Sequence, residues 1–172
     1  MSGANAHIDN VATKIRKEPA VENYDLVHLI QYHSDDLATG LLGKVRRSDR
    51  ADSYCRVSPV ELKQLVGEIY HHLEAWLLDK SESDIARRYT AIGARRFEQN
   101  IPLDEVVWVI VLTKRNLWEF IDDASSPGRA RDIFEKQELL QLVEGFFDHA
   151  IHAAIVGYER AAEADAVMRK TA

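Results

Sequence analysis

Histidines and cations set among apolar residues are where chemistry would begin in this chain. Seven histidines are available. Glu68-Ile69-Tyr70-His71 has the Glu-x-x-His spacing by which di-iron bundles bring a carboxylate and an imidazole to one helix face. At about 100° per residue, the stripe from Leu62 to Leu77 centres near Leu73; His71 then lies roughly 160° away, toward water, and His72 at the stripe's edge. His149 and His152 fall roughly 120° and 180° from the Phe146/Ala150 face. A second Glu-x-x-His aimed at the same core would be needed, and the sequence contains none. A His/carboxylate metalloprotein is therefore the third-ranked reading, and no metal ligand is assigned.

His33 differs, because the wheel places it within the stripe of Leu26, Ile30, Leu37 and Leu41. It reads as a neutral core histidine bonded to a carbonyl or carboxylate, or else as a ligand contact or axial haem ligand. Arg96 follows Ile85, Tyr89 and Ile92 on one stripe, and Lys114 lies between Ile110 and Trp118 on another, so both cations point inward. An unpaired buried cation costs several kcal/mol, so each must meet a carboxylate, reach the rim or await an anionic ligand. Pairing is the simpler answer, with Glu135 a candidate partner. The alternative is a small-molecule, haem or anionic-cofactor site formed by His33, Arg96, Lys114 and Trp118, with Trp76 and Trp108 as further aromatics. Aromatics at helical spacing more often simply pack.

Other chemistries lack support. Cys55, the single cysteine, sits in a polar stretch without a partner base, and neither a Gly-x-Ser-x-Gly elbow nor a phosphate-binding glycine loop occurs. No catalysis is expected. A net charge of −6 with interleaved signs disfavours nucleic acid. The longest apolar run, Val106 to Leu112, falls far short of the roughly 20 residues of a membrane span. The chain opens without a secretory signal, so a cytoplasmic location is expected.

The elements that would position these residues are helices. Residues 1–18 lack an apolar period and read as a flexible lead-in, 19–165 as one helical domain, and 166–172 as a frayed tail. The first helix is expected from about Val21 to Val45, followed by a polar connector. Ser58-Pro59-Val60-Glu61 then combines an N-cap serine, proline at the first helical position and the glutamate of a capping box, starting a helix that ends near Lys80. Ser81 or Ser83 caps a third helix reaching Gln99. Asn100 suits a left-handed position, and Pro102 restarts the chain as a fourth helix from Leu103 to about Asp122, apolar nearly all round and so enclosed by the others. A last helix runs from about Ile133 to Ala164 and presents Leu139, Leu142, Val143, Phe146, Phe147, Ala150 and Ala154 inward. The fold class is all-α, a single bundle of about five helices around an enclosed central helix, with a globin-like arrangement as one form of it.

Three stretches carry a resemblance: LVHLIQYHSDDLATGLLGKVRRSDRADSYCRVSPVEL, IARRYTAIGARRFEQNIPLDEVVWVIVLTKRNLWEFI and FFDHAIHAAIVGYE. Over about residues 24–160 the chain resembles the N-terminal domain of RsbRD-type RsbT co-antagonist proteins. The most specific positions are Arg95, Arg96, Asn100, Ile101, Pro102, Leu103, Asp104, Glu105, Lys114, Leu117 and Trp118. The resemblance implies a helical sensory or regulatory input domain, of bacterial stress-signalling proteins and some sensor kinases and regulators, without catalysis; no cofactor is expected, with haem or another tetrapyrrole as the alternative. It would act as a homodimer or by docking to a signalling partner or output domain. With no output segment after residue 172, the chain is expected to be either an excised input domain or a module acting alone.

Overall fold

The structure, a computed structural model, describes His28 and residues 30–79, 82–124 and 130–171. Helix α1 (Ser34–Arg46) leads to a 3-10 turn (Asp52–Arg56), then α2 (Pro59–Asp79), α3 (Glu82–Glu98), α4 (Leu103–Ala124) and α5 (Ala130–Thr171). No strand occurs among the described residues, and the all-α bundle agrees with the sequence pattern. No helix among them is long and apolar enough to cross a membrane.

Local signals explain most boundaries. The Glu61 amide donates to Ser58 Oγ at 3.0 Å and caps α2. Asn100 takes a φ of 54°, and the Asn100 and Ile101 amides return to the Phe97 and Arg96 carbonyls, closing α3 before Pro102 opens α4. The first helix departs from expectation. Its proposed start at Val21 and the lead-in at 1–18 lie outside the described residues. Residues 30–32 are helical, but His33, at φ −107° and ψ 19°, interrupts the run and α1 restarts at Ser34. Asp35 and Asp36 in the new first turn favour that restart, since they sit where the helix dipole welcomes negative charge.

The expected polar connector also does more than connect. Its 3-10 turn buries Ala51 and Tyr54 in the core. Helix α4 is central, packing on α1, α3, α5 and this turn. Val106, Val109, Ile110, Leu117 and Ile121 are buried along it, while Asp104, Arg115 and Glu119 keep a narrow stripe in solvent.

The closest approach in the bundle is between α3 and α5. Glu82 lies beside His149, Gly93 beside Ala154 and Phe97 beside Tyr158, so the two helices run parallel. Gly93 and Gly157 permit the contact. A β-carbon at Gly93 would fall 1.9 Å from the Ala154 carbonyl oxygen, and one at Gly157 1.9 Å from that of Thr90. Helix α5 then continues to Thr171, so the tail expected to fray from residue 166 is helical. Alanine, methionine, arginine and lysine make up most of that stretch, and all four are strong helix formers.

Candidate functional site

Arg96 ends α3 as its largest fully buried side chain, at 2% exposure. Its Nη1 pairs with Glu61 Oε1 at 2.9 Å and also bonds Gln99 Oε1, while its guanidinium lies 5.3 Å over the Tyr54 ring. Gln99 Nε2 donates to the same Glu61 oxygen at 3.2 Å. The capping-box glutamate has thus turned from its own helix start to the cation, where a charge-assisted bond is the stronger option. Hydrogen bonding from Gln99, then from Arg96, holds the Glu61 carboxyl below the usual range. Burial pushes the Tyr54 hydroxyl up to about 12 against the pull of the Arg96 charge. One side chain therefore ties the 3-10 turn, the start of α2 and the end of α3 together.

The other side of Arg96 borders a cavity of about 270 Å³ between α2 and α3. Leu65, Glu68, Ile69 and His72 line it from α2, and Arg88, Tyr89, Ala91, Ile92 and Arg95 join Arg96 from α3. Three side-chain atoms of these residues, His72 Nε2, Tyr89 Oη and Arg96 Nε, are buried without a hydrogen-bond partner, and among the described residues no other buried side-chain nitrogen or oxygen is so left. Burial, and next the Arg88 charge, lower the His72 pKa and keep its ring neutral. Burial raises the Tyr89 phenol, whose ring packs edge-on against Phe146 of α5 at 5.9 Å.

The remaining residues singled out from sequence lie elsewhere. Lys114 Nζ pairs with Glu144 Oε2 at 2.6 Å, and Trp118 Nε1 donates to Glu144 Oε1 at 3.2 Å, so these two share one carboxylate. The side chain of Glu135, the candidate partner, lies outside those described; Glu61 and Glu144 are the acids found on Arg96 and Lys114. His33 does not join the inward stripe. At the N-cap of α1 it is 34% exposed, its Nδ1 3.2 Å from Asp36 and its ring against Tyr32 and Phe120. The wheel misplaced it because the helix breaks at that residue. His33, Arg96 and Lys114 thus meet three different acids, Asp36, Glu61 and Glu144. Trp76 and Trp108 donate to the Leu142 carbonyl and to Ser48 Oγ. Among the described residues no group of three or more His, Cys, Asp or Glu side chains gathers to hold a metal ion.

The family model described as the RsbT co-antagonist protein rsbRD N-terminal domain matches residues 35–172. The chain belongs to that family. As an rsbRD N-terminal domain it is a regulatory signalling domain. No curated protein and no solved structure matches it.

Within this rsbRD N-terminal domain, the positions that carried the resemblance have structural duties. Arg96 and Asn100 shape the end of α3. Glu105 receives both the backbone N–H and the hydroxyl of Ser53 at 2.8 Å, fastening the 3-10 turn to α4. Lys114 and Trp118 join α4 to α5 through Glu144. Sequence reasoning missed the Asn116 network altogether. Asn116 Nδ2 donates to the Leu37 carbonyl at 2.9 Å and lies 3.3 Å from Tyr70 Oη, while its Oδ1 accepts from Lys44 Nζ at 2.9 Å. An asparagine inside an apolar helix was the available signal. For the cavity the signal was His72 at the edge of its stripe together with Tyr89 on the inward face of α3.

Proposed function

We propose that the domain is a non-catalytic, cytoplasmic input module that passes a change in helix packing to a second copy of itself through the far end of α5, and so to a signalling partner or output domain. The seam of α5 is the observation that carries this reading. Val143, Phe147, Ala150, Ala154 and Gly157 recur at four- and three-residue steps and are buried in the bundle. The same alternation continues through Ala161, Ala164, Met168 and Thr171 as cover from the bundle runs out, and Met168 is 64% exposed. A repeat averaging about 3.5 residues is the pattern against which a partner helix packs. The stretch after Tyr158 would project about 20 Å at 1.5 Å per residue.

The glycine crossing supplies the transmission. Because Gly93 and Gly157 bring backbone against backbone, no side chain cushions a shift of α3 relative to α5. Multi-angle light scattering of the chain should return the mass of a dimer. Ala164→Glu combined with Met168→Glu should move it toward monomer while circular dichroism keeps its helical signal. A monomer at every accessible concentration would remove the mechanism.

A further inference from the structure

Beyond Tyr158 the charges beside the seam of α5 carry information that the seam itself does not. Continuing the repeat buried in the bundle, Ala161 and Met168 take one core position of a heptad, a, and Ala164 and Thr171 take the other, d. Six charged residues follow Tyr158, and four of them, Glu159, Glu163, Arg169 and Lys170, fall at f, c, b and c, turned away from a helix packed on the seam. Only Arg160 and Asp165 flank it. Arg160 lies at g on one side and Asp165 at e on the other, five residues further on. Arg160 is exposed, and among the described residues it pairs with no acid. Asp165 meets Arg169 through Oδ2 at 2.9 Å, which leaves its second oxygen to a partner. Val167 at g widens the apolar strip beside Met168, and both are exposed.

We propose that the helix packed on this seam is the α5 of a second copy, parallel and in register, and that Arg160 and Asp165 select that arrangement. The proposal rests on the relay above for the dimer and adds the direction of the partner. In a parallel pair a g side chain meets the e side chain five residues on in the other helix, so Arg160 of each copy reaches the partner's Asp165, and two-fold symmetry makes two such pairs. In an antiparallel pair g meets g and e meets e. Arg160 would then face an arginine or Val167, and Asp165 an aspartate or Tyr158, so no register brings opposite charges together. Alanine, methionine and threonine at a and d fit either direction, and the flanking charges decide. A parallel pair sets the two far ends side by side, where the relay delivers its change.

Disulfide trapping and light scattering on the full chain test the arrangement, with trapping in a Cys55→Ser background because Cys55 is free and exposed. Ala161→Cys and Met168→Cys, made singly, should each oxidise to a covalent dimer on a non-reducing gel, since a parallel pair in register sets every a position beside its counterpart. An antiparallel pair can do so at no more than one position, and would instead join the two variants when they are mixed. Without added cysteines, Arg160→Glu and Asp165→Lys each put like charges across the seam and should weaken the dimer by about tenfold. Mixing those two variants restores opposite charges on both sides and should return the mass of a dimer. Cross-linking at one position or neither, or only between mixed variants, would overturn the orientation. Single charge variants that dimerise as wild type does would overturn the part given to Arg160 and Asp165. A strict monomer defeats the relay and this pairing with it, whereas a dimer that fails to cross-link at both positions defeats the pairing alone.

Discussion

Replacing glycine by alanine inside a helix normally stabilises a protein, and at Gly93 and Gly157 the structure reverses that sign. Alanine's higher helix propensity contributes about 0.8–1 kcal/mol. Against it stands a new β-carbon 1.9 Å from a carbonyl oxygen of the facing helix, with the carbonyl carbons at 2.8 Å and 2.6 Å. Ordinary carbon–oxygen contacts between helices lie near 3.3 Å, so α3 and α5 must part by about 1.4 Å. That separation would loosen Tyr89 against Phe146 and Phe97 against Tyr158, pairs that flank the crossing. Overpacking of this kind costs about 1–3 kcal/mol or more, and backbone opposed to backbone belongs at the upper end because neither side can rotate away. After the propensity gain, a net loss of about 2 kcal/mol is expected for either substitution, or about 4–8 °C in Tm at this chain length. Gly67 is the control. It lies on the exposed face of α2, and a β-carbon there meets nothing within 4 Å. Gly67→Ala should therefore gain about 0.5–1 kcal/mol. Urea midpoints followed by circular dichroism measure all three variants. If Gly93→Ala or Gly157→Ala shifted the midpoint upward together with Gly67→Ala, the close crossing would be refuted.

Two further expectations concern the polar ties. Because Gln99 and Arg96 depress the Glu61 pKa on folding, its contribution is complete above the ordinary glutamate value of about 4.3 and is lost as pH falls through the lower folded value. Wild type should thus lose urea stability more steeply below that point than Glu61→Gln does, and parallel pH profiles would show the pair to be inert. Asn116→Leu should lower stability by about 1–3 kcal/mol, since it removes the bond that ties the Leu37 carbonyl of α1 to α4 and deprives the buried Tyr70 hydroxyl and Lys44 of a partner; a denaturation midpoint within about 0.5 kcal/mol of wild type would contradict the network.

Reading these elements from sequence succeeded where the signal is local and failed where it depends on who faces whom. Ser58, Asn100 and Pro102 act within a few residues of themselves, and each does in the fold what its chemistry announces. Helical phase is also local while a helix is unbroken, which is why His71 and His152 are exposed as expected. His33 failed for the same reason in reverse, because the Ser34-Asp35-Asp36 run starts a new helix and resets the phase. Arg96 and Lys114 were legible as inward cations, but their partners come from other helices: Glu61 lies 35 positions away and Glu144 lies 30 away. Gly93 and Gly157 carry no meaning singly. Each reads as a weak spot in a helix until the other is placed opposite it.

The pairing of Arg96 still leaves its buried Nε–H without an acceptor. A guanidinium serving structure alone would be expected to place all its buried N–H groups on protein acceptors, since burying one unpaired is unfavourable. Here Nη1 is bound to Glu61 and Gln99, whereas Nε is buried without an acceptor. Helix α3 presents Tyr89, Ile92 and Arg96 to the cavity between α2 and α3, and Thr90, Gly93 and Phe97 to α5. Cavity and crossing thus occupy two faces of one helix.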